Sequence, residues 1–287
     1  MNAQSVRRCA MAALGLTLGC AQAPTEWLRP TEPFRIVGNL YWVGTHDLSS
    51  YLITSPEGHI IINTGLADSV SQIRANIEKL GFRVSDVKIL TATHAHGDHV
   101  GGLAALKRMT GARVYMSAPD ADVLESGGKS DFRWGKDPHT WFDPVTVDRR
   151  LEDGETIRLG ANSLALHIHA GHSKGASTFT FTVREGTGEY RVGIVNMASI
   201  NPGVRVSGMA GFSDIGDAYV RTFAAQKAME LDVFLSSHAS QFGLHQKRKQ
   251  GDAYNADRFV DPTGFRAAVD ELEASFRKQL AAEQRQQ

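Results

Sequence analysis

Four side chains able to bind a metal fall within six consecutive residues, His94-Ala95-His96-Gly97-Asp98-His99. Imidazole nitrogen and carboxylate oxygen are ligands that zinc accepts readily, and a catalytic zinc site keeps one position open for water. The His-x-His pair can point at one metal, while Asp98 and His99, from the turn beyond, point at a second. The bland alternative is a solvated turn in which Asp98 only caps the following helix. Three histidines and an aspartate suit such a turn poorly when its neighbours are apolar. Gly97, Gly101 and Gly102 agree with the metal reading, because backbone packed tightly around a metal centre favours residues without a side chain. A pair of metals of this kind activates water directly, so hydrolysis would need no serine or cysteine nucleophile.

Ligands so placed need rigid elements on either side. Val87 to Ala92 reads as an apolar strand leading into the motif, and Val100 to Met109 as a helix leading out. Upstream, Leu40 to Val43, Tyr51 to Thr54 and His59 to Asn63 are short β-rich runs separated by turns, which predicts an antiparallel meander. Val70, Ile73, Ile77 and Leu80 then repeat at helical spacing within Ala67 to Leu80. A strand at Arg113 to Met116, a helix from Pro119 to Glu125 and an aperiodic loop from Ser126 to Pro144 follow. Strands return at Thr156 to Leu159, Ser163 to His169, Thr178 to Val183 and Tyr190 to Val195. A helix at Ala218 to Met229, a strand at Asp232 to Leu235 and a charged helix at Gly264 to Glu283 complete the order. Each half has strands first and helices after, which predicts an α/β fold with two sheets packed face to face and helices outside.

Two later histidines occupy comparable places. His172 lies in Ala170-Gly171-His172-Ser173 at a strand-to-loop junction, and His238 follows the apolar run Val233-Phe234-Leu235. Taken alone, either could be an ordinary hydrogen-bonded histidine, the lesser reading; shared placement after apolar strands makes both candidate ligands. His167 and His169 alternate along one strand face and are candidates only for outer partners of a ligand, or for plain core positions. His46, His59, His139 and His245 have no convergent context, although His139 belongs to the long loop.

Bulk properties narrow the partner. The 287 residues are 42% hydrophobic and 22% charged, which suits one globular domain, and 31 basic residues balance 31 acidic ones. No long basic run argues for nucleic acid, so a small-molecule substrate is expected. Residues 1–23 read as an export leader: Arg7 and Arg8, an apolar stretch from Cys9 to Leu18, and Ala21-Gln22-Ala23 as a cleavage site. That stretch is short of the roughly 20 residues that span a bilayer. Lipid attachment at Cys20 is the lesser alternative. Cys9 and Cys20 are the only cysteines, so a single domain at 24–287 would have no disulfide and no thiolate ligand.

The motif and the two later histidines resemble the metallo-β-lactamase superfamily over nearly the whole of the expected domain. The resemblance implies the four-layer αβ/βα sandwich and two zinc ions, with His94, His96 and His172 on the first and Asp98, His99 and His238 on the second. That set is similar to the cysteine-free di-zinc subclass of β-lactamases, class B subclass 3. Thioesterases and lactonases of the superfamily place a metal-bridging aspartate at the end of a strand between the last two histidines. Here Val192-Gly193-Ile194-Val195 runs into Asn196-Met197 with no carboxylate. The expectation is therefore an exported, periplasmic or secreted β-lactamase, monomeric in the simplest case, that attacks a β-lactam with zinc-activated hydroxide oriented by Asp98. Met197 departs from the serine common near that position in the subclass. Ser199 and Asn201 are the candidates for contact with the substrate carboxylate, although Asn201-Pro202 reads equally as a plain turn. Trp134, His139, Trp141 and Phe142 either wall the substrate or fasten the loop, and Phe212 has the same two readings. A lactonase or thioesterase is the competing enzyme, and a zinc-binding exported protein without catalysis the competing non-enzyme.

Overall fold

Residues 23–286 are described by this computed structural model, and they open on hairpins. After a short helix α1 (Thr25–Leu28), strands β1 (Phe34–Val37), β2 (Leu40–Trp42), β3 (Tyr51–Ser55) and β4 (Gly58–Ile62) pair antiparallel in order. Connections then become helical and pairing becomes parallel, as a crossover requires. Helix α2 (Val70–Lys79) leads to β5 (Val87–Thr91), and α3 (Gly97–Val100) with α4 (Leu103–Thr110) leads to β6 (Arg113–Ser117). Helix α5 (Ala118–Glu125) precedes β7 (Arg149–Leu151), which closes a seven-stranded sheet in sequence order. The second sheet is built from β8 (Thr156–Leu159), β9 (Asn162–Ile168), β10 (Ser177–Glu185) and β11 (Gly188–Val195), all antiparallel. Helix α6 (Ile215–Ala228) then crosses to β12 (Val233–Ser236), parallel to β11, giving the order β12-β11-β10-β9-β8. Helices α7 (Leu244–Lys247) and α8 (Gly264–Gln284) follow.

Strand alternation divides the core in two. Ile60 and Ile62 of β4 enter one buried cluster and Ile61 the other; Ile53 and Ile89 join the first pair, Leu52 and Leu90 the second. The larger cluster lies between the sheets, where Trp42, Ile60 and Ile89 meet Leu166, Phe179 and Ile194, and it continues to Phe223 of α6 and Phe276 of α8. The smaller one holds α2 and α4 on the outer face of the first sheet through Ile73, Ile77, Leu103 and Leu106. This is the helix, sheet, sheet, helix layering expected. The leader read at residues 1–23, all but Ala23 of it, and the Cys20 alternative lie outside the described residues. Among the described residues no helix is long and apolar enough to cross a membrane.

Three local features differ from the sequence reading. Strands β1 and β7 are edge strands of four and three residues, too short to register as periodic runs. The single helix expected over Val100 to Met109 is two helices broken at Gly101-Gly102. A Cβ on Gly101 would lie 2.6 Å from Gly97 O and 2.8 Å from Ala67 N, and one on Gly102 would lie 2.6 Å from Thr64 O. Backbone approach, rather than an unusual dihedral, demands glycine there. Gly102→Ala should therefore destabilise the protein by about 1–3 kcal/mol through overpacking, read as a lower urea midpoint. Gly188→Ala, whose Cβ would meet nothing nearer than 3.4 Å, should leave the midpoint almost unchanged.

Candidate metal centre

Strand β5 ends three residues before His94; the loop beyond it carries His94 and His96, and the short helix α3 that follows carries Asp98 and His99. His172 sits in the turn from β9 to β10, and His238 directly follows Ser237 at the end of β12. These ligand loops thus leave the same end of the two sheets and face a cavity of about 970 Å³. Hydrogen bonds across the sheets fix that end: Ser177 N donates to Thr93 O at 2.7 Å, Ser49 N to Ser237 O at 3.1 Å, and the Tyr51 hydroxyl to Ser236 O at 2.6 Å.

The imidazoles converge. The His94 ring centroid lies 4.5 Å from His96, 4.7 Å from His172 and 4.4 Å from His99, and His99 lies 4.9 Å from His238. Ligand atoms of His94, His96 and His172 all lie within 4.8 Å of one another, as do those of His94, Asp98 and His99. His238 stands outside both compact groups, yet its Nε2 is 3.4 Å from Asp98 Oδ2, which is also 3.1 Å from His99 Nε2. His94 Nε2 and both nitrogens of His99 are buried without a hydrogen bond. Leaving such atoms unsatisfied costs about 1–3 kcal/mol each, and a divalent cation is the species that satisfies several converging imidazole nitrogens at once. The donor set fits zinc.

Outer partners aim the rings. His172 Nδ1 donates to Ser199 O at 2.9 Å, and His238 Nδ1 to Asp47 Oδ2 at 3.0 Å, so each presents Nε2. His94 Nδ1 lies 3.4 Å from Thr93 Oγ1, itself held by Asn63 Oδ1 and Ser237 Oγ. Asn63 has a φ of 63°, a left-handed conformation that asparagine tolerates better than most residues. Asp120, 1% exposed, joins the loops: Oδ2 accepts from Ala95 N at 3.0 Å and Ser173 Oγ at 2.7 Å, and Oδ1 from Gly175 N at 2.7 Å.

Protonation follows the same partners. Burial lowers His94, His99 and His172, the last to about 3, so these rings are neutral at pH 7, as metal ligation requires. Burial also opposes charge on His238, but hydrogen bonds to Asp47 and Asp98 outweigh it and push the ring up to about 9. Without metal that ring is an imidazolium held between two carboxylates, and a metal competes with its Nε2 proton. Asp98 is disfavoured as an anion by burial, yet His99 and His238 hold it well below the usual carboxylate range.

The solved structures similar to this chain include a β-lactamase from Chitinophaga pinensis, 42% identical, with a TM-score of 0.88 over 91% of this chain and 98% of that one. The class B3 di-zinc metallo-β-lactamase LRA-12 from an Alaskan soil metagenome is 41% identical with the same TM-score and coverage. The subclass B3 enzyme BJP-1 of Bradyrhizobium japonicum is 34% identical, with a TM-score of 0.84 over 91% and 97% of the two chains. A family model described as the metallo-β-lactamase superfamily matches residues 44–185. The chain belongs to the metallo-β-lactamase superfamily. Curated relatives are more distant. A probable metallo-hydrolase of Burkholderia pseudomallei is 32% identical over 40% of this chain and 37% of its own length. A hydroxyacylglutathione hydrolase of Rhodopseudomonas palustris is 27% identical over 47% and 44%. The chain spans less than half the length of these curated relatives.

In this superfamily member the expected ligands His94, His96, Asp98, His172 and His238 all line the cavity, and His99 is buried behind them. Ser199 and Asn201 line it as well, tied to His172: the Ser199 hydroxyl is 3.2 Å from its Nδ1, and Asn201 Nδ2 donates to its carbonyl at 3.3 Å. Trp134, His139, Trp141 and Phe142 line the cavity too, while Phe142 also packs against the smaller core. His167 and His169 do not line the cavity; they pair with Thr180 and Thr178 at 2.7 Å. Phe212 packs in the core against Phe132 instead. Met197 is buried in the larger core. Sequence reading assigned nothing to Asp47, Asp120, Asp131 or Trp27, whose ring stands 5.6 Å from His238. Asp120→Ala should strand three donors and separate the two ligand loops, lowering stability by about 3 kcal/mol or more; a thermal melt of the metal-free protein with an unchanged midpoint would contradict this account.

Proposed function

We propose that this chain is a secreted or periplasmic di-zinc β-lactamase that hydrolyses the amide bond of β-lactam antibiotics. His94, His96 and His172 hold the first zinc, and Asp98, His99 and His238 the second. The observation that carries the reading is the gathering of five such side chains on one cavity with His99 buried directly behind them, and with the far nitrogens of His172 and His238 already engaged by Ser199 and Asp47. Similarity to solved proteins named as β-lactamases supports the substrate class. So does the end of β11, where Asn196 and Met197 stand in place of the bridging carboxylate that the resemblance assigns to thioesterases and lactonases. The leader read at residues 1–23 supports export.

Zinc bound at such a centre lowers the pKa of water toward neutrality and polarises the carbonyl that is attacked. The chain itself supplies orientation. Asp98, anionic between His99 and His238, accepts a hydrogen bond from the attacking water and sets its approach. Ser199 and Asn201 offer a hydroxyl and an amide to the carboxylate that β-lactams carry. Trp134 and Trp141 shield one side of the cavity from water with apolar surface.

Purified protein should hydrolyse a chromogenic cephalosporin, lose that activity to a chelator and regain it with zinc. Turnover of a lactone or a glutathione thioester alone, with none of the cephalosporin, would overturn the assignment. His172→Ala should lower kcat/KM by at least about 100-fold, the scale reached by disturbing even the outer partner of a metal ligand. It should also lower bound zinc by mass spectrometry; retention of wild-type zinc content and rate would refute the ligand set.

A further inference from the structure

The segment from residue 126 to 144 has no helical or strand period, yet it is anchored to the metal centre by one carboxylate. Asp131 is 8% exposed. Its Oδ1 accepts the backbone amides of Arg133 at 2.8 Å and Trp134 at 2.6 Å, closing a turn. Its Oδ2 faces His96 Nε2 at 3.5 Å, and that buried nitrogen has no hydrogen bond to any other group. The turn is fastened onward as well: Arg133 Nε donates to Pro202 O at 2.7 Å, and the guanidinium stacks 4.0 Å over the Trp134 ring. One side chain therefore touches both a candidate metal ligand and the wall that carries Trp134.

We propose that Asp131 is a positioning residue that couples order in the 126–144 segment to metal occupancy at His96. This rests on the reading of the centre as a zinc site. With Nε2 facing Asp131, the atom of His96 left for metal is Nδ1, and Nε2 must then carry the ring proton. The carboxylate is the acceptor that fixes this tautomer and makes the imidazole a stronger donor to the metal. Metal at His96 fixes the ring, the ring fixes Asp131, and Asp131 fixes the turn. Linkage is reciprocal, so loosening the turn weakens metal binding.

Asp131→Asn and Asp131→Ala in the full chain test the coupling by chelator competition for zinc, the absorption spectrum of the cobalt(II) form, and hydrogen exchange with and without zinc. In the wild type, zinc should slow exchange of the Arg133 and Trp134 amides. Asparagine keeps a carbonyl for those amides, so the metal-free variant should melt as the wild type does, while its affinity for one zinc falls about 10-fold or more and the cobalt spectrum shifts. Alanine should lose both the affinity and the zinc-dependent protection. Wild-type affinity and cobalt spectrum in the asparagine variant would overturn the proposal, as would wild-type exchange that ignores zinc. A wild-type protein that binds no zinc would instead overturn the functional reading together with this one.

Discussion

The carboxylate of Asp120 receives hydrogen bonds from both loops that bring ligands from opposite sheets. On one side it takes the amide of Ala95, between His94 and His96; on the other it takes Ser173 and Gly175, which follow His172. Burying a carboxylate costs several kcal/mol unless its lone pairs are filled, and burial does raise the pKa of Asp120 against the pull of its donors. The cost is met only when both loops are in place. Asp120 therefore works as a geometric condition: three ligands from two sheets can converge because their loops share one acceptor at a helix start just after β6.

Around that joint, four of the five ligand imidazoles face an outer partner of their own: a hydroxyl for His94, a carboxylate for His96, a backbone carbonyl for His172 and another carboxylate for His238. These partners come from Thr93, Asp131, Ser199 and Asp47, scattered over 153 positions of numbering from 47 to 199. The inner nitrogens are left buried and unsatisfied, or paired only within the cluster. Folding thus builds a site in which outer partners face four of the rings while nitrogens of His94, His96 and His99 stay buried without a hydrogen bond. A metal bound among them would supply the missing partner, and ligands already gathered in place keep the cost of reorganisation low.

The sequence made the inner half legible and hid the outer half. His94 to His99 are contiguous, and His172 and His238 stand at the ends of apolar runs, so residue type and placement were enough to find them. Asp120 looks like an ordinary acid in a helix first turn, Asp47 like one in a hairpin turn, and Asp131 like part of a polar loop. The groups they meet in the ligand loops, such as Ala95, Ser173, His96 and His238, lie 25 to 191 residues away in the chain, and no local pattern encodes such a meeting. The same limit applies to the fold. Buried strands such as β4 and β5 were evident from their isoleucines and leucines, whereas β1 and β7 owe their conformation to pairing at the sheet edges. The break between α3 and α4 was marked by Gly101-Gly102, but only the approach of Thr64 and Ala67 explains why it must occur there.

Charge at the end of β11 bears on substrate choice within this superfamily. With two zinc ions bound as proposed, Asp98 is the sole carboxylate among the six ligands, so the centre keeps more positive charge than one with a second, bridging aspartate. Asn196, 3% exposed, lines the cavity there and leaves Nδ2 without a partner. A neutral amide in that place adds no negative charge and keeps a donor free of protein partners. An anionic substrate gains from both features, because attraction between opposite charges strengthens as water is excluded. β-Lactams carry a carboxylate next to the ring that opens. Asn196 thus links the sequence feature that set this chain apart from the thioesterases to an electrostatic reason for the substrate it is proposed to take.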